Sequence, residues 1–473
     1  MIVDEEHVRE LRAELDGRAI LPGEPGYEGA RAIWNAMIDR HPAIIVQCTS
    51  VDDVRRALRF GRERGLEISI RGGGHNIAGN AVTEGGLTID LSAMKAVRVD
   101  PAARRATVEP GATLADVDSA TQAHGLAIPL GINSTTGISG LTLGGGFGWL
   151  TRKYGMTVDQ LRSARVVTAD GQLRRTSATE EPDLFWAIRG GGGNFGVVVE
   201  FEFELHPCGP DVYSGLVVYP FREAKSVLTR YRSLIETAPD ELAVWVVVRR
   251  APPLPFLPPA IHGEPVVVLA VFYAGEPREG ERLAAPFRRL GNLAGELLGA
   301  QPYVAWQRAF DPLLAPGARN YWKSHNFSHL PDGLFDTAVQ LASTAPSPHC
   351  EVFIGQLGGQ AGRVPANAMA YGNRDANFVM NVHGRWDRPE DDQVGIAWAR
   401  RVFEAAAPFA TGGVYVNFMP ADEQDRVKAA FGSNYERLAA LKHVFDPDNV
   451  FHMNQNVRPR APKPELRDQP YAE

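Results

Sequence analysis

Fifteen of the 48 glycines fall in three short clusters, and one cluster ends on a histidine. Gly72, Gly73 and Gly74 precede His75; seven glycines lie between 131 and 148, and five between 190 and 196. Glycine has no Cβ, so its backbone N–H can approach a ligand closely. Successive bare N–H groups form an anion nest suited to a pyrophosphate. A single Gly-Gly reads as a turn, whereas three such clusters beside strand-like text point to a bound phosphate group. His75 sits between that glycine turn and Asn76, just after Arg71 at a strand end. Its imidazole is either a hydrogen-bonded structural group or one that bonds to the cofactor itself.

The run Gly191-Gly-Gly193-Asn-Phe-Gly196 fits the G-x-G-x-x-G dinucleotide pattern. That pattern should follow a strand and open a helix. Here it follows the helical text DLFWAIR and precedes the strand-like VVVEFEFEL, which speaks against a nicotinamide-type site. The P-loop pattern and H-E-x-x-H are both missing, so NTP hydrolysis and zinc proteolysis have no support, and no metal site is expected.

The surrounding elements are those of an α+β protein. Strands are expected at 43–49, 68–70, 86–91 and 104–111, with helices over 51–64 and about 113–124, and a glycine-dense loop over 131–148. A long strand closes this region from Val197 to Leu205. Strand-like runs such as LAVWVVVRR and PVVVLAVFYA follow, split by PPLPFLPP, which belongs in a loop or at an edge. Further strands are expected near 336–356 and 376–384, and a helix over 388–407. Three units result: 1–207, 208–412 built on an antiparallel sheet, and a C-terminal segment 413–473. Beyond 458 the text is charged and proline-rich, as in a loosely held tail.

A chain of 473 residues with 49 basic and 56 acidic side chains, net charge −7, carries no nucleic-acid footprint and no polybasic membrane patch. The three cysteines are too far apart for a C-x-x-C site or a disulfide framework. No apolar run reaches 18 residues and the first residues lack a signal-peptide core, so a cytoplasmic protein is expected.

At Arg71-Gly-Gly-Gly-His-Asn76 the chain resembles the berberine-bridge-enzyme-like oxidases of the vanillyl-alcohol oxidase / p-cresol methylhydroxylase superfamily. The resemblance extends over PLGINSTTGISGLTLGGGFGWLTRKYG (129–155), DLFWAIRGGGGNFGVVVEFEFEL (183–205) and YERLAALKHVFDPDNVFHMNQNV (435–457), in that order. It implies a two-lobed FAD-binding domain rejoined by the C-terminal segment, with an antiparallel-sheet substrate domain covering the flavin. It also implies that His75 is bonded to the flavin 8α-methyl. Many relatives add a cysteinyl link from the 131–137 loop, but the matching residue here is Asn133, and no cysteine lies within 70 residues. A single histidyl link is therefore expected, which fits a compact substrate.

The FAD-binding residues that the resemblance implies begin with Arg71, Gly72, Gly73, Gly74, His75, Asn76 and Gly79. The second cluster supplies Gly131, Asn133, Ser134, Thr135, Thr136, Gly137, Gly140, Gly144 and Gly146. The third supplies Gly193, Asn194, Gly196 and Val198, and the C-terminal motif Asn454 and Asn456, whose amides suit the pyrimidine edge of the flavin. The expected reaction is oxidation of an alcohol or amine of a small molecule by hydride transfer to flavin N5, with O2 reduced to H2O2. A dehydrogenase using another acceptor and a non-catalytic flavin carrier are the alternatives. An alcohol needs a base, and Tyr415, beside Asn417, is the first candidate if its pKa is lowered. Both could instead be the polar face of a strand. Tyr321, Lys323 and His325 alternate, so they share one strand face and either line the substrate cavity or form a solvated edge. A heterocyclic amine, a sugar and a secondary-metabolite alcohol are all open as substrates, as is the oligomeric state.

Overall fold

Residues 4–461 are described by a computed structural model. Most of the charged tail expected beyond 458 lies outside these residues. The N-terminal half holds two larger sheets and a two-stranded ribbon of 126–127 with 206–207. In the first, strands 18–20, 44–47, 87–90 and 68–71 lie side by side, and the last three run parallel. The crossover between 44–47 and 68–71 is the helix Val51–Glu63. Ser50 caps it by accepting from the Asp53 N–H, and Asp52 and Asp53 complement its positive end. Its buried residues Val54, Ala57, Leu58 and Gly61 recur at helical spacing, on one face. The strand Ile68–Arg71 then runs directly into the Gly72–His75 turn. The second sheet is antiparallel, in the order 97–100, 105–108, 197–204, 161–167, 173–177, and its long strand Val197–Glu204 leaves the third glycine cluster.

The C-terminal half of the chain builds a seven-stranded sheet, antiparallel throughout, in the order 295–302, 211–220, 265–273, 242–250, 351–356, 378–386, 319–327. Helices Ala224–Ile235, Pro277–Ala284, Asp332–Ala342 and Asp392–Ala406 pack on one face. The glycine-rich segments of the N-terminal half approach the other. All nine residues of Phe378–Trp386 are buried, because both faces of the sheet are covered. No helix among the described residues is long and apolar enough to cross a membrane.

Three local expectations need correction. Of the strands expected near 336–356, Glu351–Gln356 forms, whereas Asp332–Ala342 is a helix. The glycine-dense segment 131–148 is not all loop, since Ile138–Leu143 forms a short helix. Residues 413–419 are not a strand either: they run as irregular backbone into one 3-10 turn, Val416–Phe418. The alternation of Val414, Tyr415, Val416 and Asn417 imitates a strand, but Gly412 at φ +90° and the tight turn prevent pairing.

Helix Tyr435–Phe445 brings the chain back to the N-terminal half through one fully buried group. Lys442 Nζ donates to Asp446 Oδ2 at 2.6 Å, to the Asn194 carbonyl at 2.7 Å and to the Phe451 carbonyl at 2.8 Å. Asp446 in turn accepts from the Val450 and Phe451 N–H groups. Removing one partner of such a pair leaves an uncompensated buried charge. Lys442→Met should therefore lower unfolding free energy by about 3–5 kcal/mol in urea titrations.

Candidate functional site

The three glycine clusters converge on one cleft of about 290 Å³, lined by Gly72–Asn76, by Gly131, Asn133, Thr136, Gly137 and Gly140, and by Gly193, Gly196 and Val198. The first two loops touch backbone to backbone. A Cβ built on Gly73 would lie 2.3 Å from the Gly137 nitrogen, and one on Gly137 equally close to the Gly73 nitrogen. Glycine is required at both positions by that close approach. At Gly140 and Gly193 the case differs, since a Cβ there meets no atom within 4 Å. These two line the cleft without steric need from the protein, as expected where a ligand rather than a neighbour fills the space.

His75 stands at the mouth of the first loop. Its ring stacks on Trp34 at 5.2 Å and 21°, and Nε2 pairs with Thr135 Oγ1 at 2.9 Å. Asn133 fixes that partner: its Oδ1 accepts from the Thr135 N–H at 3.0 Å and from the Thr135 hydroxyl at 2.7 Å. With Thr135 donating its proton to Asn133, its oxygen accepts from Nε2–H. The imidazole then carries its lone pair on Nδ1. Burial lowers the His75 pKa to about 4, so the ring is neutral and nucleophilic at pH 7.

The other residues singled out in the sequence divide by position. Asn454 lines the cleft, and its buried Oδ1 has no protein partner, as a group meant for a ligand would present. Asn456, Arg71, Gly79, Gly144 and Gly146 lie outside the lining. Gly144 is packed so tightly that a Cβ would meet the Asn417 amide at 2.2 Å. Ser134 turns away to bond Asp311, and Asn194 anchors the C-terminal segment by bonding the Gln455 carbonyl and the Val457 N–H.

Tyr415 and Asn417 do reach the cleft. The lowered pKa that a tyrosine base requires is not found at Tyr415, however. Burial raises its pKa to about 12, despite hydrogen bonds from Asn417 Nδ2 and the Gly146 N–H, each at 3.0 Å. Its oxygen accepts twice, so the phenolic O–H is left as a donor toward the cleft. Tyr321, Lys323 and His325 share one strand face, but it is the face turned away from the cleft. Tyr321 bonds Asp422 at 2.7 Å, Lys323 pairs with Glu423 at 2.6 Å, and His325 stacks on Phe403 at 4.0 Å. Tyr321 and Lys323, expected to be catalytic, thus do not line the cleft.

The opposite face of the same sheet carries what the sequence did not reveal. In one row, Trp322 pairs with His383, His383 with Glu351, and Glu351 with Arg249. Glu351 Oε2 accepts from Arg249 at 2.7 Å, and Oε1 lies 3.2 Å from His383 Nδ1. Burial alone would raise the Glu351 pKa, but the Arg249 charge and the His383 hydrogen bond outweigh it, giving about 2. Arg249 already balances that carboxylate, so a second cation on the buried imidazole has no counter-charge. Burial therefore lowers the His383 pKa, and the ring stays neutral. Its Nδ1–H donates to Glu351, and the Nε2 lone pair is buried without a protein partner in the wall of the cleft. No signal short of strand register joins residues 249, 351 and 383. Among the described residues, no group of three or more His, Cys, Asp or Glu could hold a metal ion.

Residues 42–177 match the family described as FAD binding domain, and residues 414–458 that described as berberine and berberine like. An uncharacterised FAD-linked oxidoreductase of Bacillus subtilis, YgaK, is 30% identical over 459 residues, 95% of this chain and 98% of that protein. The chain belongs to the berberine-like FAD-linked oxidoreductases. (R)-6-hydroxynicotine oxidase of Paenarthrobacter nicotinovorans is 29% identical, over 94% of this chain and 98% of that one. The crystal structure of 6-hydroxy-D-nicotine oxidase from Arthrobacter nicotinovorans superposes with a TM-score of 0.84 at 27% identity, covering 94% of this chain and 98% of that one. FAD is accordingly the cofactor, the fold is of the vanillyl-alcohol oxidase type, and the protein is an oxidoreductase. The cleft fits that cofactor: bare backbone from three glycine loops, open space over Gly140 and Gly193, and a free amide oxygen on Asn454.

Gly73→Ala should separate the two touching loops, lowering Tm and flavin content together. Gly193→Ala meets no protein atom, so it should leave Tm within 1–2 °C of the parent, on the order of a neutral surface change, while lowering flavin content. Thermal unfolding and the absorbance of purified protein check both.

Proposed function

We propose that the protein is an FAD-dependent oxidase of a small alcohol or amine, with the flavin held by a single covalent bond to His75. The neutral imidazole of His75, opposite the glycine loops, supports the link, and Asn133 in place of a cysteine supports its being the only one. Bound in this cleft, the isoalloxazine would supply the acceptor for hydride from a C–H bond, and O2 would take the two electrons with two protons as H2O2.

The observation that carries the reading is the free Nε2 of His383. Oxidation of an alcohol removes a proton from oxygen as hydride leaves carbon, and a base near the operating pH does this best. His383 is held in the required tautomer by Glu351, which Arg249 keeps ionised. Tyr415 supplies a hydrogen-bond donor for the substrate heteroatom, and Trp322, 4.4 Å from His383 edge-on, keeps water from the imidazole. An amine that is already neutral needs no base, so the same site suits it with less dependence on His383.

Acid-precipitated protein should stay yellow, with fluorescence on the peptide containing His75, and His75→Ala should release its flavin. Loss of all flavin from the parent on denaturation would refute the covalent bond. With an oxidised alcohol in hand, His383→Ala should lower kcat by roughly 10²–10⁴-fold, and Glu351→Gln should also lower it by releasing the imidazole tautomer. Hydrogen peroxide should form in step with substrate loss. Its absence, with turnover restored by an artificial acceptor, would make the protein a dehydrogenase.

His383 accepts a proton only while neutral, and its folded pKa lies below the ordinary 6.5. The acid limb of alcohol kcat/KM should therefore have its midpoint below the ordinary histidine value of 6.5. An acid limb centred above 6.5 would exclude His383.

A further inference from the structure

Beyond Trp245 and Phe353 the main cleft has a neighbour, a second cavity of about 70 Å³ that shares with it the wall formed by Trp245, Phe353 and Glu351. Strand register explains its floor. On the sheet face that carries Arg249, Val247 pairs with Val268 and Val268 with Val218. Its roof is the proline-rich run of 252–258, through Pro252, Leu254 and Leu257. Proline fixes φ and leaves no N–H to satisfy, so such a run can press apolar side chains onto a sheet without burying unpaired donors. The charged side chains in the lining are Arg249 and Glu351, and they satisfy each other at 2.7 Å. The unpartnered polar side-chain atoms in the lining are the indole N–H groups of Trp149 and Trp245, so the annex offers a ligand apolar contact and at most two donors.

We propose that this annex receives an apolar tail of the substrate: an alcohol or amine whose reacting carbon lies beside His383 and whose alkyl or aryl substituent runs past Phe353 beneath the proline-rich roof. The assignment rests on the reading of His383 as the base and goes further by naming the substrate class. Glu351 fixes the geometry, because the same residue orients His383 and forms the near wall of the annex. A sugar placed there would bury more hydroxyls than two indole N–H groups can satisfy, which disfavours it. An alkyl chain gains affinity with each methylene removed from water.

Two alcohol series test this on the flavin-loaded enzyme. Tertiary alcohols of graded chain length have no hydrogen on the carbinol carbon and cannot be oxidised, so calorimetry reads their binding alone. Primary alcohols of the same lengths read oxidation. Affinity of the tertiary series should rise about fourfold per methylene until the annex is full, and kcat/KM of the primary series should rise in parallel. Val268→Trp, which fills the floor, should flatten both slopes. If that variant does not fold, the two series on the parent enzyme still decide. Tertiary-alcohol affinity independent of chain length would overturn the annex. Affinity that rises with length while no primary alcohol is oxidised would instead uphold the annex and overturn the alcohol-oxidase reading.

Discussion

A sheet buried on both faces assigns every one of its side chains to one of two environments, and this site depends on that assignment. Successive residues of a strand point to opposite faces. In Arg319–Phe327 the odd positions Tyr321, Lys323 and His325 meet the helices and their acidic partners, while Trp322 meets the cleft. A one-residue slip would exchange the two sets, and with them Trp322 and a buried ion pair. The antiparallel register across 319–327, 378–386, 351–356 and 242–250 therefore fixes the chemistry as firmly as it fixes the core.

Electrostatics then decide which member of the row does what. One cation, one anion and one neutral ring form a row that is balanced as it stands. Arg249 and Glu351 neutralise each other, and the desolvated imidazole between Glu351 and Trp322 is left to act through its lone pair. Tyr415 illustrates the opposite outcome in the same cleft. No cation lies beside it to favour the phenolate, so burial holds it protonated as a donor.

The legible part of the molecule was the part written locally. Glycine runs beside His75, and their family text, led to the FAD cleft because each loop's role depends on its own few residues. The α+β class and most strands followed from short-range patterns. What was illegible depends on long-range pairing: Arg249 and Glu351 are separated by 102 positions, and Glu351 and His383 by 32. Tyr321 and Lys323 were placed on a common face correctly, but which face meets the flavin is decided by four helices elsewhere in the chain. Residues 414–417 alternate like a strand, yet they find no neighbouring strand to pair with.

The two halves of the site come from different halves of the chain, so something must hold them in register, and the short stretch around Trp34 does so. Trp34 stacks on His75 on one side and meets Trp322 edge-on at 5.4 Å on the other. Its indole N–H donates to the Leu314 carbonyl at 2.8 Å, and its backbone N–H to the Gly74 carbonyl at 3.0 Å. Next to it, buried Asn35 donates to the Ile77 and Asn320 carbonyls and accepts from the Asn320 N–H. These two side chains tie the loop that presents His75 to the strand that places Trp322 against His383. His75 and His383 therefore share a chain of ring contacts, His75–Trp34–Trp322–His383. An arrangement of rigid aromatic planes transmits position with little slack, so the spacing between the two imidazoles is set by packing across the sheet rather than by either loop alone.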